Sequence, residues 1–460
     1  MNPSRARYDL IIIGSGPGGF RAALVAARRR KRVALIEFRE LGGTCLNWGC
    51  IPTKSLLAVG ERLARHGAGG EAGEADFWND PNLSDWGKAQ AYKNAQVLRL
   101  RQGLEGVFKK MAVDVYRGMG ALEGPNTVRV NDQRLEGERI LLAAGSLTPP
   151  LPGFEFDGER VIHNKDLLDA ARLPRSMIIL GAGPMGCEFA NWLVDFGVAV
   201  TLVERAENLL PQFDETVSRA LRRSFKQKGI NVKVRCEAER LEKTAKGVRL
   251  HLKGGEVLEA GQLLVAVGRK PRLNPEVIGP VDLKLNRGFI VVNEYFQTSV
   301  PSIYAVGDVI GGPMLSHVAD AQGAYAAANA TGDHIAWPDP PIPGCVYTDP
   351  EVAAVGLSER EANARGIATK VGMAYYAMNG RAVASDQTAG LCKVVVRASD
   401  DRLIGCHLCG ATATEIIAAA ATAMSLGATA RQLADMIWAH PTYSEVLAEA
   451  CRACVTSAHD

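Results

Sequence analysis

What this sequence lacks narrows the possibilities first. It contains no run of 18 apolar residues, so no transmembrane helix is expected. Neither sign of charge dominates: 53 Lys and Arg against 50 Asp and Glu leave a net +3. That balance makes no general case for nucleic acid or a membrane as partner. Cysteine is sparse, ten residues in a chain of 460, unlike the disulfide framework of a small secreted domain. A short polar leader without signal-peptide character precedes the first strand pattern at Tyr8. The expected compartment is therefore the cytoplasm, where a disulfide is usually catalytic. The one local excess of charge is Arg28-Arg29-Arg30-Lys31-Arg32, between an apolar helical pattern and a strand. It reads as a solvated helix C-terminus, where cations are favoured, with docking of an acidic partner as the alternative.

Glycine, in contrast, is abundant at 48 residues, which favours an α/β fold with many tight strand–helix turns. The chain is too long for one hydrophobic core, so two to four domains are expected. An apolar strand at Leu10–Ile13 runs into Gly14-Ser-Gly16-Pro-Gly-Gly19, an Ala-rich helix, and a second strand, Val33–Ile36, ending at Glu37. This order is that of a dinucleotide site. Gly14 allows the tight turn, Gly16 lets backbone approach a pyrophosphate, and Gly19 allows close helix–strand packing. The helix N-terminus faces the phosphates, and Glu37 can accept from a ribose hydroxyl. The unit recurs at Met177–Leu180, Gly181-Ala-Gly183-Pro-Met-Gly186, a helix, and Ala199–Val203 ending at Glu204. Each glycine and the acid are displaced by the same 167 residues. One such motif is weak; two complete units at one offset are strong. A carboxylate at Glu204 accepts from a free 2′-hydroxyl and repels a 2′-phosphate, which favours NAD over NADP; the neighbouring Arg205 is the counter-indication.

Between the first unit and the next helix lies Gly42-Gly43-Thr44-Cys45-Leu46-Asn47-Trp48-Gly49-Cys50-Ile51-Pro52-Thr53-Lys54. In a regular helix, Cα atoms five positions apart are about 8–9 Å from each other, beyond the ~7 Å limit of a disulfide. If these cysteines pair, the backbone must leave the regular helix there. Gly49 and Pro52 suit such a distortion. By itself the spacing also fits two buried thiols.

The run resembles the redox-active disulfide of the flavoprotein disulfide reductases, most closely the lipoamide dehydrogenases. The likeness covers nearly the whole chain. It continues through Ala143-Ala144-Gly145-Ser146, Val265-Ala-Val-Gly268-Arg269-Lys270-Pro271, Ile303-Tyr-Ala-Val-Gly307-Asp308, Tyr347-Thr-Asp-Pro-Glu351 and His440-Pro-Thr-Tyr-Ser-Glu445, in the family's order. The resemblance implies that Cys45 is the thiol exchanging with substrate sulfur and that Cys50 lies nearer the flavin. It implies Lys54 beside the flavin, paired with Glu188. Gly43, Thr44, Ala144, Gly145 and Asp308 join the first unit in holding FAD, and Gly268 joins the second in holding NAD. His440 would be the acid–base catalyst, reaching the other subunit's disulfide and oriented by Glu445. The chemistry asks for such a base, because only a thiolate attacks a disulfide efficiently. A carboxylate can fix its tautomer. His440 precedes a proline and should be extended, with a helix starting near Thr442. Thr442-Tyr-Ser-Glu445 also fits a capping box; one carboxylate can serve both tasks through its two oxygens.

Ile416–Ala428 carries no charge and is mostly Ala. A helix apolar on nearly all sides should be buried on nearly all sides, which fits a symmetric homodimer as well as an internal core helix. Three aromatic residues depart from the family's usual pattern: Trp48, Trp438 and Tyr443. Each can narrow a substrate channel or simply pack. The Gly-, Ala- and acid-rich stretch from His66 to Trp86 reads as a surface loop. Cys451 and Cys454 invite comparison with a second redox pair, but their i, i+3 spacing in a helix favours inert thiols. Cys406 and Cys409 fall on opposite faces of a strand, and no metal site is expected.

The expected architecture is α/β, with two Rossmann-like dinucleotide-binding domains for FAD and NAD and an α+β C-terminal dimerisation domain. The FAD domain spans residues 1–146 and is completed at 270–338; the NAD domain spans 147–269 and the dimerisation domain 339–460. The expected activity is oxidation of dihydrolipoyl groups, free or on a carrier protein, through Cys45–Cys50 and FAD to NAD⁺. Two alternatives stand beside it: an NAD(P)H-dependent reductase of another disulfide, and an NADH-sensing or scaffold subunit.

Overall fold

A computed structural model describes residues 7–66, 85–273 and 275–455; most of the 66–86 stretch lies outside the described residues. The chain forms two compact units. The first combines residues 1–55, 91–149 and 269–339. Its parallel sheet runs Asp114–Arg117, Val33–Glu37, Tyr8–Ile13, Gln133–Leu142, Ile303–Ala305. The strand Gln133–Leu142 also pairs antiparallel with Thr127–Val130, which pairs with Gly120–Gly124. Leu10, Ile11 and Ile12 are fully buried, as continuous apolar runs are in a parallel strand covered on both faces.

The second unit combines residues 56–90, 150–268 and 340–460. It holds a second parallel sheet, ordered Asn231–Lys233, Ala199–Val203, Ser176–Leu180, Gln262–Val265, Val161–Ile162. The 167-residue offset holds for its helix: Pro17–Arg28 in the first unit corresponds to Pro184–Asp195 here. The C-terminal part is an antiparallel sheet, ordered Gly344–Val346, Glu351–Gly356, Leu403–Gly410, Leu391–Arg397, Thr369–Tyr375. Helices Ala413–Ser425 and Glu445–Arg452 cover it, with Ile417, Ala420, Leu447 and Cys451 in one core with Val394 and Leu408.

One sequence expectation changes here. The helix after His440 begins at Glu445 rather than near Thr442, because the Thr442 hydroxyl donates back to Ala439 O instead of capping forward. The Ala-rich helix is Ala413–Ser425; within the single chain one side of it is buried, while Ala418, Thr422 and Ser425, and Leu426 just beyond it at 81%, are exposed, which leaves that side for a second copy of the chain. The basic run follows the helix Pro17–Arg28, with Arg29 as its C-cap; Lys31 pairs with Asp9, Arg29 with Asp333, and Arg32 covers the Tyr8 ring. Among the described residues, no helix is long and apolar enough to cross a membrane.

Candidate active site

The two glycine-rich turns are built alike. Gly14 and Gly181 have φ of 101° and 104°, a region open to glycine and strained for other residues. A Cβ on Gly19 would overlap the carbonyl oxygen of Gly14, and one on Gly186 that of Gly181. Gly16 and Gly183 instead have nothing near the Cβ position, and each is the N-cap of its helix. Open space before a run of free N–H groups is what a pyrophosphate requires.

The acids match as closely. Glu37 accepts from Ser15 N at 3.0 Å and Arg39 N at 2.9 Å; Glu204 accepts from Ala182 N at 2.8 Å and Ala206 N at 2.7 Å. These bonds set each carboxylate at the end of the second strand, above the turn where a ribose would lie. The donor geometry of both turns fits a dinucleotide. Ser15 was not anticipated: its hydroxyl donates to Glu37 and accepts from Gly42 N, tying the first turn to the loop that carries Gly43 and Thr44.

That loop leads to the cysteines. Cys45 and Cys50 form a disulfide with Cα atoms 4.7 Å apart, about half the regular-helix separation. Gly49 makes this possible. Its φ of −142° and ψ of −110° end the short helix Gly43–Trp48 before Cys50 begins the helix Cys50–His66. The buried Asn47 donates to Leu41 O and Gly43 O, holding the short helix down. Cys50 Sγ lies 3.4 Å from Ser316 Oγ. Lys54 stands four residues after Cys50, on the same helix face.

Asp308 follows Gly307 in a short 3₁₀ turn and accepts from the Ser146 hydroxyl. Arg269 donates to the same hydroxyl at 2.6 Å and to Ser146 O at 3.0 Å, and its guanidinium is 3.9 Å from Asp308. Ser146 and Arg269 stood inside the recognised motifs without an assigned role; only the fold shows them as partners of Asp308. Ala144 and Gly145 continue from the strand Gln133–Leu142, and Gly268 follows the strand Gln262–Val265. Glu188 is buried on the helix Pro184–Asp195 and accepts from Tyr347 N at 3.0 Å. Lys54 and Glu188 belong to different units.

His440 Nδ1 is 2.9 Å from Glu445 Oε1, and Glu445 Oε2 accepts from Thr442 N at 2.8 Å. The carboxylate therefore serves both the imidazole and the backbone. The Thr442 N–H, followed by His440, holds the Glu445 carboxyl below its ordinary pKa. With Nδ1 engaged, Nε2 is the nitrogen left for a substrate proton.

Trp438 and Tyr443 are both held by side-chain hydrogen bonds. Trp438 donates to Leu433 O, and Tyr443 donates to Gln387. Both also line a groove of about 560 Å³ with Arg381, Glu415 and Pro441. Trp48 lies under the Arg39 guanidinium, 5.7 Å from its ring centre. Cys451 and Cys454 are buried, with burial raising both thiols, Cys454 to about 11. A thiol so protonated is a poor nucleophile. Among the described residues, no group of three or more His, Cys, Asp or Glu could hold a metal.

The chain is similar to known proteins along nearly its whole length. Residues 8–323 match the pyridine nucleotide-disulphide oxidoreductase family and residues 342–451 its dimerisation domain. A dihydrolipoyl dehydrogenase of Chlorobaculum parvum is 37% identical, covering 99% of this chain and 98% of its own. Among solved structures, LpdA from Mycobacterium tuberculosis aligns with a TM-score of 0.86 at 27% identity, over 97% of this chain and all of that one. The HOCl-induced flavoprotein disulfide reductase RclA from Escherichia coli aligns with a TM-score of 0.85 at 29% identity, over 96% and 99%.

Proposed function

Because this chain belongs to the pyridine nucleotide-disulphide oxidoreductase family, we propose that its reaction is the oxidation of dihydrolipoyl groups with NAD⁺. It is a flavoprotein oxidoreductase that uses FAD and a pyridine nucleotide, and it works as a homodimer through its C-terminal domain. The observation that carries the reading is the Cys45–Cys50 disulfide at the start of its helix, in a chain 37% identical to a dihydrolipoyl dehydrogenase over nearly all its length.

The chain's own groups account for the sulfur chemistry. A substrate thiolate attacks Cys45 Sγ; the Cys45–Cys50 bond breaks, and Cys50 leaves as a thiolate. The second substrate thiol gives its proton to Nε2 of His440 from the other subunit and attacks the mixed disulfide. The lipoyl disulfide closes, Cys45 is released, and the protein pair has gained two electrons. Bound FAD supplies the transfer of that electron pair to NAD⁺. The net change is dithiol plus NAD⁺ to disulfide, NADH and a proton.

The other assignments follow. Gly14, Gly16, Gly19, Glu37, Gly43, Thr44, Ala144, Gly145 and Asp308 hold FAD, supported by the open helix N-terminus at Gly16 and the bonded Glu37 carboxylate. Gly181, Gly183, Gly186, Glu204 and Gly268 hold the nicotinamide dinucleotide. Glu204 favours NAD, since a 2′-phosphate would meet its charge. Lys54 and Glu188 are charged groups serving the flavin. Residues 1–146 and 270–338 form the FAD domain, 147–269 the NAD domain and 339–460 the dimerisation domain. The substrate is a lipoyl group on a carrier protein, and the enzyme is cytoplasmic.

Anaerobic titration with dihydrolipoamide tests the reading. A thiolate-to-flavin charge-transfer band, bleaching on excess, and NADH formation on adding NAD⁺ are expected. A flavin that answers NADH and ignores dihydrolipoamide moves the substrate elsewhere.

A further inference from the structure

His440 and Glu445 stand on, or at the end of, an irregular stretch, residues 436–444, between the helices Ala430–Asp435 and Glu445–Arg452. Beyond the turn bonds from Val446 N to Tyr443 O and Leu447 N to Ser444 O, no helix or strand ladder holds this stretch, so side-chain bonds to it help set its shape. Two of them lead to one remote segment, residues 379–387. Asn379 is 7% exposed and uses both ends of its amide. Its Oδ1 accepts from Ala382 N at 2.9 Å, capping the helix Gly380–Ala384, and its Nδ2 donates to Thr442 O at 3.0 Å. The Tyr443 hydroxyl donates to Gln387 Oε1 at 2.5 Å and contacts Ser385 Oγ. The Arg381 guanidinium lies 5.9 Å from the Tyr443 ring centre.

Thr442 is thus held from both sides. Its carbonyl is bonded by Asn379, and its N–H is bonded by the same Glu445 carboxylate that orients His440. We propose that Asn379 and Tyr443 are positioning residues that set the orientation of the His440–Glu445 dyad, acting through Thr442 rather than touching substrate. The inference rests on the reading of His440 as the base for thiol–disulfide exchange.

The test uses the FAD-loaded dimer with Asn379→Asp and Tyr443→Phe. N379D keeps the acceptor that caps the helix and replaces the donor to Thr442 O with a second oxygen; Y443F removes one hydroxyl and keeps the ring. NADH oxidation by ferricyanide, which bypasses the disulfide, should stay within about twofold of the parent for both. The readout is the pH at which the thiolate–flavin charge-transfer absorbance of the two-electron-reduced protein falls by half. A displaced imidazolium stabilises the thiolate less, so this midpoint should rise by about one pH unit in N379D, and by a smaller amount in Y443F. Dithiol turnover should fall about tenfold in N379D. Midpoints that overlay the parent in both variants overturn the proposal. If N379D loses its flavin, an unmoved midpoint in Y443F is by itself enough to overturn it, and a raised one supports it. A parent protein that shows the charge-transfer band with NADH but ignores dihydrolipoamide refutes the lipoyl reading alone, and the midpoint comparison still decides this one.

Discussion

His440 Nδ1 and Glu445 Oε1 lie 2.9 Å apart, while the second oxygen of that carboxylate takes the Thr442 N–H. The ring is held by a group that is itself held by backbone. Glu445→Gln keeps the shape and removes the charge that favours the imidazolium. Dithiol oxidation is expected to fall by about 10–100-fold in E445Q, and by about 10²–10⁴-fold in His440→Gln. Reduction of the flavin by NADH should be unchanged in both, as measured by stopped-flow absorbance. Equal loss of NADH reduction in either variant would remove His440 from the exchange step.

Cys45→Ser should abolish turnover with disulfides and dithiols and leave the protein yellow, because the thiol belongs to exchange rather than to flavin binding. Absorbance of the purified variant, with a ferricyanide assay beside it, checks this. Loss of flavin would count against the assignment.

The two dinucleotide turns can be separated by mutation. A Cβ on Gly186 would overlap the carbonyl of Gly181, and one on Gly19 that of Gly14. Gly186→Ala should weaken NADH binding at least about tenfold while the protein keeps FAD. Gly19→Ala should instead yield flavin-depleted protein. Fluorescence titration with NADH and the ratio of flavin to protein absorbance distinguish the two; the same defect from both variants would contradict separate sites.

Stability should respond to Asp195. Burial, partly offset by Lys228 at 3.0 Å, pushes its pKa up to about 6, and Asp349 and Glu61 add to the rise. A carboxyl whose folded pKa exceeds its unfolded value of about 3.9 binds more protons when folded, so its contribution to stability grows as pH falls from 6 toward 4. Asp195→Asn should flatten that part of the profile by about 1–3 kcal/mol. Urea unfolding of both proteins at pH 4.5 and 6.5 measures it, and parallel profiles would refute it.

Part of this protein could be read along the chain because its signals are local or repeated. The 167-residue displacement of Gly14, Gly16, Gly19 and Glu37 onto Gly181, Gly183, Gly186 and Glu204 marks two matching strand–turn–helix units, since Gly14 and Gly181 take φ above 100° and a Cβ on Gly19 or Gly186 would overlap backbone. Cys45 and Cys50 could be named as a pair only on resemblance, because five positions of regular helix hold them too far apart. The fold settles the pairing by breaking the helix at Gly49.

Contacts between distant segments leave no local pattern, and there tertiary structure alone decides. Asn379 meets Thr442 across 63 residues, and Ser146 meets Asp308 across 162. The start of the last helix at Glu445 also depends on such competition: the Thr442 hydroxyl chose Ala439 O over its capping role. Backbone sterics wrote the glycine turns into the sequence, and the His440–Glu445 bond is local, whereas the bonds that tie Thr442 to Asn379 and Tyr443 to Gln387 exist only once residues far apart in the chain fold together.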